Sequence, residues 1–149
     1  MDKKPLYIVI ILIILVGFFY GYSYFKSEPV ISEQITYTNA SADLIVPELP
    51  FPGAVVGKEF FVIGKARGNW YFEATFPVEV LDKDGKQLFA TYAQAQGEWM
   101  TTEFVPFKSE PIKIIESYIG PATLVLHKDN PSGLPEHDAS ISFPIIIEY

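Results

Sequence analysis

The sequence predicts an all-β protein, an antiparallel β-sandwich of about seven strands that is preceded by one N-terminal transmembrane helix. Three observations predict this fold class. Apolar and polar residues alternate with a period of two over several short segments, as they do in half-buried strands. Twelve prolines and ten glycines are spread along the chain, which favours many short elements separated by turns. One apolar run near the start is long enough to be a membrane helix.

The apolar run covers residues 5–25 and contains no charged side chain. A helix of about 20 such residues spans the ~30 Å hydrocarbon layer. Lys3 and Lys4 precede the run, so the positive-inside rule places the short N-terminus in the cytoplasm and the rest of the chain outside. A cleaved signal peptide is the alternative, but its apolar region is typically ~7–15 residues long and ends at small residues. We therefore expect residues 1–26 to form an uncleaved signal-anchor in the cytoplasmic membrane.

Residues 27–41 are polar and predict a juxtamembrane linker, and residues 42–149 predict the sandwich domain. Asp82 to Gly85 predicts a hairpin turn with a positive φ at the glycine. Residues 111–118 suit either a short helix or a strand. The expected strands are 42–46, 59–65, 72–80, 87–95, 102–107, 122–128 and 140–147. Seven short strands within about 110 residues are typical of an immunoglobulin-like sandwich.

Charge and cysteine content exclude several classes of function. Without the anchor and its flanking charges, the chain keeps eight of its eleven basic and seventeen of its eighteen acidic side chains, a net charge of −9. Such an acidic domain repels phosphate backbones, so we expect no nucleic-acid partner. The chain has no cysteine, which excludes disulfides and thiolate metal sites.

Three segments carry a resemblance to a known family. They are GKARGNWYFEATFPVEVLDKDGK, QGEWMTTEFVPF and LVLHKDNPSGLPEHDASISFPI, at residues 64–86, 96–107 and 124–145. Together they resemble the immunoglobulin-like domain of bacterial spore germination proteins, often found beside a GerM domain, over residues 42–147. The resemblance implies an immunoglobulin-like sandwich in the cell envelope with a binding or scaffolding role. It implies no agreed active site.

The loop at residues 128–138 is the candidate metal site. Asp129, Asn130, Glu136 and Asp138 offer oxygen ligands for Ca²⁺, which takes 6–8 of them. The alternative is a rigid structural connection, because two prolines and a glycine set its path and its Asn and Asp side chains can cap local backbone groups. The structural alternative is favoured, and no metal is predicted.

Aromatic side chains are the candidate ligand-contact surface. Trp70 and Phe72 share strand parity, so we expect both to point inward and Tyr71 to point outward. Trp99 follows Gly97 near a turn and is the other candidate for exposure. Tyr71 and Trp99 are thus the possible ligand-contact residues. The alternative is that these aromatics pack in the core.

No catalytic residue and no cofactor are predicted. His127 and His137 are the two histidines, and no nucleophile-elbow pattern accompanies them. We expect a non-enzymatic, membrane-tethered extracytoplasmic module that binds an envelope protein or a glycan. Two alternatives are open: a structural accessory subunit of a membrane complex, for which Gly17 and Gly21 offer a helix-association spacing, and a carbohydrate- or cell-wall-binding module.

Overall fold

The computed structural model describes residues 34–115 and 117–149. The predicted anchor at residues 1–26 and most of the predicted linker lie outside these residues. Within the described residues, no helix has the length and apolar character that a membrane crossing requires.

The described part of the chain is built from strands, with two short 3₁₀ turns at Gly68–Trp70 and Pro135–His137 and no α-helix. The strands are β1 (Thr36–Thr38), β2 (Ile45–Leu49), β3 (Val55–Val56), β4 (Glu59–Phe60), β5 (Ile63–Arg67), β6 (Thr75–Asp82), β7 (Gln87–Ala95), β8 (Phe104–Ser109), β9 (Ile112–Lys113), β10 (Gly120–His127) and β11 (Ser140–Ile147).

One curled sheet supplies both layers of the sandwich. Its strand order is β1-β11-β10-β6-β7-β8-β5-β2, and these neighbours pair antiparallel. Strand β3 pairs parallel with β11, and β4 pairs with β9 in a separate two-stranded sheet. Strand β7 joins the layers, because residues 87–94 pair with β6 whereas residues 93–95 pair with β8. The layers are therefore β2-β5-β8 and β6-β10-β11.

The predicted alternation places the core between these layers. Phe76, Val78 and Val80 of β6 are buried, and so are the odd-numbered residues of β11 from Ile141 onward. The ring of Phe76 meets that of Phe107 edge-on with centroids 4.9 Å apart. Each large apolar side chain buried in this way contributes about 1.5–3 kcal/mol. The period-two pattern thus identified the inward face of both long strands.

One buried serine ties the edge of the core to the backbone. The Ser109 hydroxyl accepts a 2.8 Å hydrogen bond from the amide of Val62, and the Ser109 amide donates one of 2.8 Å to the Val62 carbonyl. Both polar groups of the Val62 backbone are therefore satisfied without regular strand pairing.

The predicted hairpin turn after β6 is confirmed. Gly85 has a φ of +79°. The Asp82 carboxylate accepts hydrogen bonds from the amides of Lys86 and Asp84, at 2.9 and 2.8 Å. The pKa of Asp82 is lowered chiefly by the bond from Lys86. An Asp at this position therefore holds the turn through its own side chain.

Several predicted boundaries were wrong. The predicted strands 87–95 and 140–147 agree with β7 and β11. The predicted strand 59–65 is instead divided between β4 and β5, and residues 42–46 contribute only the start of β2. Part of the predicted linker belongs to the fold, because β1 pairs with β11 from Thr36 to Thr38.

Candidate functional site

Two connections meet at one end of the sandwich, the turn at residues 68–74 between β5 and β6 and the loop at residues 128–139 between β10 and β11. We call these segments, with Asn39 and Asp43 beside them, the loop end. The amide of Asp129 donates a 3.1 Å hydrogen bond to the Trp70 carbonyl, which joins the two connections. The Asn39 side-chain amide donates to the Asp138 carbonyl at 3.0 Å. The loop end is thus one connected surface on a rigid scaffold.

The loop at residues 128–139 is held by its own side chains. Its base is closed by a 2.8 Å bond from the Lys128 amide to the Ala139 carbonyl. The Asn130 side-chain amide donates to the Leu134 carbonyl at 2.8 Å and to the Asp138 carboxylate at 2.7 Å. This bonding restricts a long exposed segment to one path. Binding residues concentrate on loops of this kind, held in place by a rigid scaffold.

Two adjoining clefts of about 410 and 190 Å³ border this loop. Both are lined by Asn39, Lys128, Asp138 and Ala139. Their walls therefore carry an amide, an ammonium and a carboxylate, which suit a polar ligand. The larger cleft is also lined by Thr38, His127, Pro135 and Ser140, and the smaller by Leu44, Asn69, Trp70, Glu136 and His137.

Charge at the loop end is mixed but mainly negative. The Nε2 atom of His127 lies 3.3 Å from the Oε2 atom of Glu79 in β6. Burial raises the pKa of the Asp129 carboxyl, and the nearby Glu73 raises it further. Both effects disfavour the charged form of this carboxyl within the loop.

Three non-glycine residues at the same end adopt a left-handed backbone conformation, which strains Glu73 and Ala74 but is ordinary for asparagine. Asn39, Glu73 and Ala74 have φ values of +49°, +48° and +65°, and they are the non-glycine residues of the described chain with positive φ. Glu73 and Ala74 form a two-residue turn in which Phe72 and Thr75 exchange hydrogen bonds of 3.0 Å. Glycine and asparagine are the usual residues in such a turn. Strain of this kind clusters at functional sites.

Two predicted aromatic orientations were wrong. Tyr71 is buried, with 4% of its surface exposed, whereas Phe72 is 43% exposed. The physical reason is the 3₁₀ turn at Gly68–Trp70 and the tight turn after Phe72, which break the strand parity assumed for residues 72–80. Trp70 is fully buried as expected, and its indole N–H is a buried donor without a partner in the described structure.

Trp99 is half-buried and packs against the core rather than standing free at the surface. Its backbone lies over Gly68, where a Cβ would come within 2.2 Å of the Trp99 carbonyl oxygen. Neither Tyr71 nor Trp99 lines the two clefts described above. The residues that line both clefts are instead mainly polar.

The four calcium candidates lie in one loop, and two of them, Asn130 and Asp138, already use a side-chain oxygen in a hydrogen bond within the loop. Asn130 turns its N–H toward Asp138, and its own oxygen accepts a 2.5 Å bond from the Ser132 hydroxyl. The Asp129 amide bonds to Trp70, and Glu136 lies in the 3₁₀ turn. Among the described residues, no three His, Cys, Asp or Glu side chains are grouped as a metal site requires. This loop fits the structural alternative.

Ser132 and His137 form a contact that resembles a nucleophile and its base, with 3.0 Å between Oγ and Nδ1. The single hydroxyl proton of Ser132, however, is directed at Asn130. The imidazole then donates its Nδ1–H to Ser132 and does not withdraw a proton from it. The contact stabilises the loop.

The loop end includes residues that the sequence did not point to. Asn39 was assigned to the linker, and Lys128 was assigned no role. Both line the clefts only because β1 pairs with β11 and because the loop folds back on β10. Pairing between strands that are distant in the sequence determines these positions, and no local motif predicts that pairing.

The antiparallel strands, packed in two layers around one core, form a β-sandwich. Residues 44–133 match the immunoglobulin-like domain of bacterial spore germination. Because this match covers more than half of the 149 residues, the chain belongs to that family. The matched segment ends before β11, although β11 pairs with β1, β3 and β10. No curated protein and no solved structure gives a significant match.

Proposed function

We propose that the protein is a membrane-tethered, extracytoplasmic binding module whose loop end binds a polar component of the bacterial cell envelope. The observation that carries this proposal is the hydrogen-bonded loop at residues 128–139, which borders two clefts. A loop fixed before binding loses little conformational entropy when a ligand arrives. The tether is supported by the uncharged apolar run at residues 5–25.

A glycan is the ligand class that the clefts favour. Asn39, Lys128 and Asp138 offer donors and acceptors of both signs, which matches the mixed hydrogen bonding of sugar hydroxyls. A protein ligand is the second candidate, since the exposed side chain of Leu134 lies in the same loop. A structural accessory subunit would need neither a rigid loop nor clefts, so it is the weaker alternative.

The glycan proposal is tested by co-sedimentation of the full chain, reconstituted in nanodiscs, with purified cell-wall fragments. We expect wild type to sediment with the fragments. Asn130→Ala removes three hydrogen bonds that shape the loop, so binding is expected to fall about tenfold or more. Asp84→Ala, in the hairpin at the other end, is the matched control and should bind as wild type does.

The protein alternative is tested with a photo-crosslinking residue in place of Leu134, compared with the same residue in place of Asp84. A defined envelope protein crosslinked only at residue 134 would support a protein ligand. Absence of binding in both assays would contradict the binding module and favour the accessory subunit.

A further inference from the structure

The layer β6-β10-β11, together with the part of β7 that pairs with β6, has one side in the core and one side facing outward. The outward side consists of the odd-numbered residues of β6 and β10, the even-numbered residues of β11, and the even-numbered residues of β7 from Ala90 onward. The register places them on one surface, since Val125 of β10 lies between Glu79 of β6 and Ser142 of β11. We call these positions the neutral face.

The neutral face carries almost no charge. Glu79 is the only Asp, Glu, Lys or Arg residue on it, and this carboxylate lies 3.3 Å from His127 of the same face. The outward positions of the opposite layer differ, because β5 and β8 present Lys65, Arg67 and Lys108 there. About a quarter of the residues in a typical soluble domain are charged, and most of these lie at the surface. A face of four strands with a single carboxylate is therefore a distinct feature of this acidic domain.

The neutral face also has low relief. Most of its side chains are Thr, Ser, Pro or aliphatic, and those of β6 and β11 are half-buried although they point outward. Val125, near the centre, is only 8% exposed. Short side chains that cover one another in this way leave a surface on which a second sheet can pack, as sheets do face to face about 10 Å apart.

We propose that the neutral face is the surface through which a second copy of this chain docks, sheet against sheet. Beyond the apolar run, each copy carries eight basic and seventeen acidic side chains, so two copies repel each other in most orientations. Contact through the neutral face brings together only Glu79 of each copy, which already has His127 as a hydrogen-bond partner. Because both copies use the same face, the contact has two-fold symmetry.

The neutral face is large enough for a specific contact. Strands β6, β10 and β11 have eight residues each, and the paired part of β7 adds a fourth strand beside them. At ~3.3 Å per residue and ~4.8 Å between strands, these four strands cover roughly 500 Å² on each copy. The two copies together bury about 1,000 Å², which lies at the lower limit of specific interfaces. We therefore expect a reversible dimer.

The larger cleft borders this face, because His127 and Ser140 line the cleft from outward positions. A second copy on the neutral face thus lies beside the cleft to which the proposed function assigns a polar ligand. The dimer rests on the face alone and does not depend on that ligand.

The test is sedimentation equilibrium of the full chain in detergent, at about 1 to 100 μM protein. We expect the wild-type protein mass to rise from 16.8 kDa toward twice that value as the concentration increases. Thr123→Glu and Ser142→Glu each add a carboxylate to the neutral face, so we expect dimerisation to weaken about tenfold or more. Pro106→Glu, at an exposed position of β8 in the opposite layer, is the matched control and should dimerise as wild type does.

Thermal melting shows first that each variant is folded, and two positions are used so that one serves if the other does not fold. Wild type alone gives a second readout. Because the copies are acidic and the face is not, raising the salt concentration from about 0.05 to 0.5 M should strengthen the dimer a few-fold. A dimer that weakens with salt would show an ion-paired interface and overturn the proposal.

Three other outcomes would also overturn it. One is a wild-type chain that stays monomeric at every concentration. Another is a dimer lost in Gly17→Leu but kept in Thr123→Glu and Ser142→Glu, which would assign the contact to the apolar run. The third is a monomeric wild type whose co-sedimentation with cell-wall fragments is lost in Thr123→Glu, which would show that the face binds a glycan. A dimer that persists without any ligand binding would contradict the proposed function alone.

Discussion

The hydroxyl of Tyr71 donates a 2.8 Å hydrogen bond to the main-chain carbonyl of Val105 in β8. Tyr71 stands on the connection that leads into β6, so this bond ties the start of one layer to a strand of the other. Its ring also contacts Phe76, with centroids 5.4 Å apart. The bond is buried, which makes its loss more costly than that of a surface bond.

Replacement of Tyr71 by Phe is expected to lower the free energy of unfolding by about 1–3 kcal/mol, because a buried acceptor loses its donor. For a domain of this size, thermal melting followed by circular dichroism should show a midpoint lower by about 4–8 °C for each kcal/mol. Tyr92→Phe, at an exposed position of β7, is the control and should melt as wild type does. An unchanged midpoint for Tyr71→Phe would show that the bond contributes nothing.

The same tyrosine makes the domain sensitive to alkali. Burial raises the pKa of Tyr71, and this outweighs the opposite effect of a hydrogen bond from the Ala66 main chain. Below the ordinary tyrosine pKa of about 10, both states hold the proton and stability is unaffected. As the pH rises above it, the unfolded chain ionises first and stability falls. Chemical denaturation from pH 8 to 11 should show a shallower decline for Tyr71→Phe than for wild type.

The turn formed by Glu73 and Ala74 should be open to stabilisation. Ala74 has a φ of +65°, which costs a residue with a Cβ about 1–2 kcal/mol. Ala74→Gly is therefore expected to raise the free energy of unfolding by about 0.5–1 kcal/mol. Gly85→Ala is the reciprocal control, because Gly85 has a φ of +79° and open space around it. It should destabilise through the backbone alone. Denaturant titration measures the free energy of unfolding of both variants. A lower value for Ala74→Gly than for wild type would contradict the proposed strain at Ala74.

The sequence predicted those parts of the fold that depend on local patterns, such as the alternation of apolar and polar residues. The inward residues of β6 and β11 and the turn at Gly85 follow from patterns within a few residues. It failed at Tyr71 and Phe72 because the turn at Glu73 and Ala74 uses no glycine or asparagine, so no residue signalled the break in parity. At the loop end, the sequence pointed only to side chains within residues 128–138. Their partner Asn39 directly follows β1, about 100 residues earlier in the chain, and no local pattern reveals this pairing.

Calcium is expected to leave the domain unchanged. In the loop, the Asn130 oxygen accepts from Ser132, and the Asp138 carboxylate accepts from Asn130. A calcium ion would have to displace both bonds and collect 6–8 oxygens. We therefore expect the same melting midpoint in millimolar calcium and in chelator, with magnesium as the control for ionic strength. A rise specific to calcium would show that Asp129, Asn130, Glu136 and Asp138 do form a site.

Asp129 should reduce stability at neutral pH. Its pKa is raised, first by burial and then by the charge of Glu73. Below the ordinary Asp pKa of about 4, the carboxyl is protonated in both states and costs nothing. As the pH rises through the raised value, the unfolded chain releases its proton more readily, so the folded state loses stability. Asp129→Asn is therefore expected to melt higher than wild type at pH 7 and equally at pH 3.

Glu73→Gln should give part of the same gain at pH 7, because it removes the negative charge that also raises the pKa of Asp129. An equal gain for Asp129→Asn at both pH values would assign the effect to packing and not to charge. A weaker ligand interaction in the more stable Asp129→Asn variant would then show why the loop end retains this carboxylate.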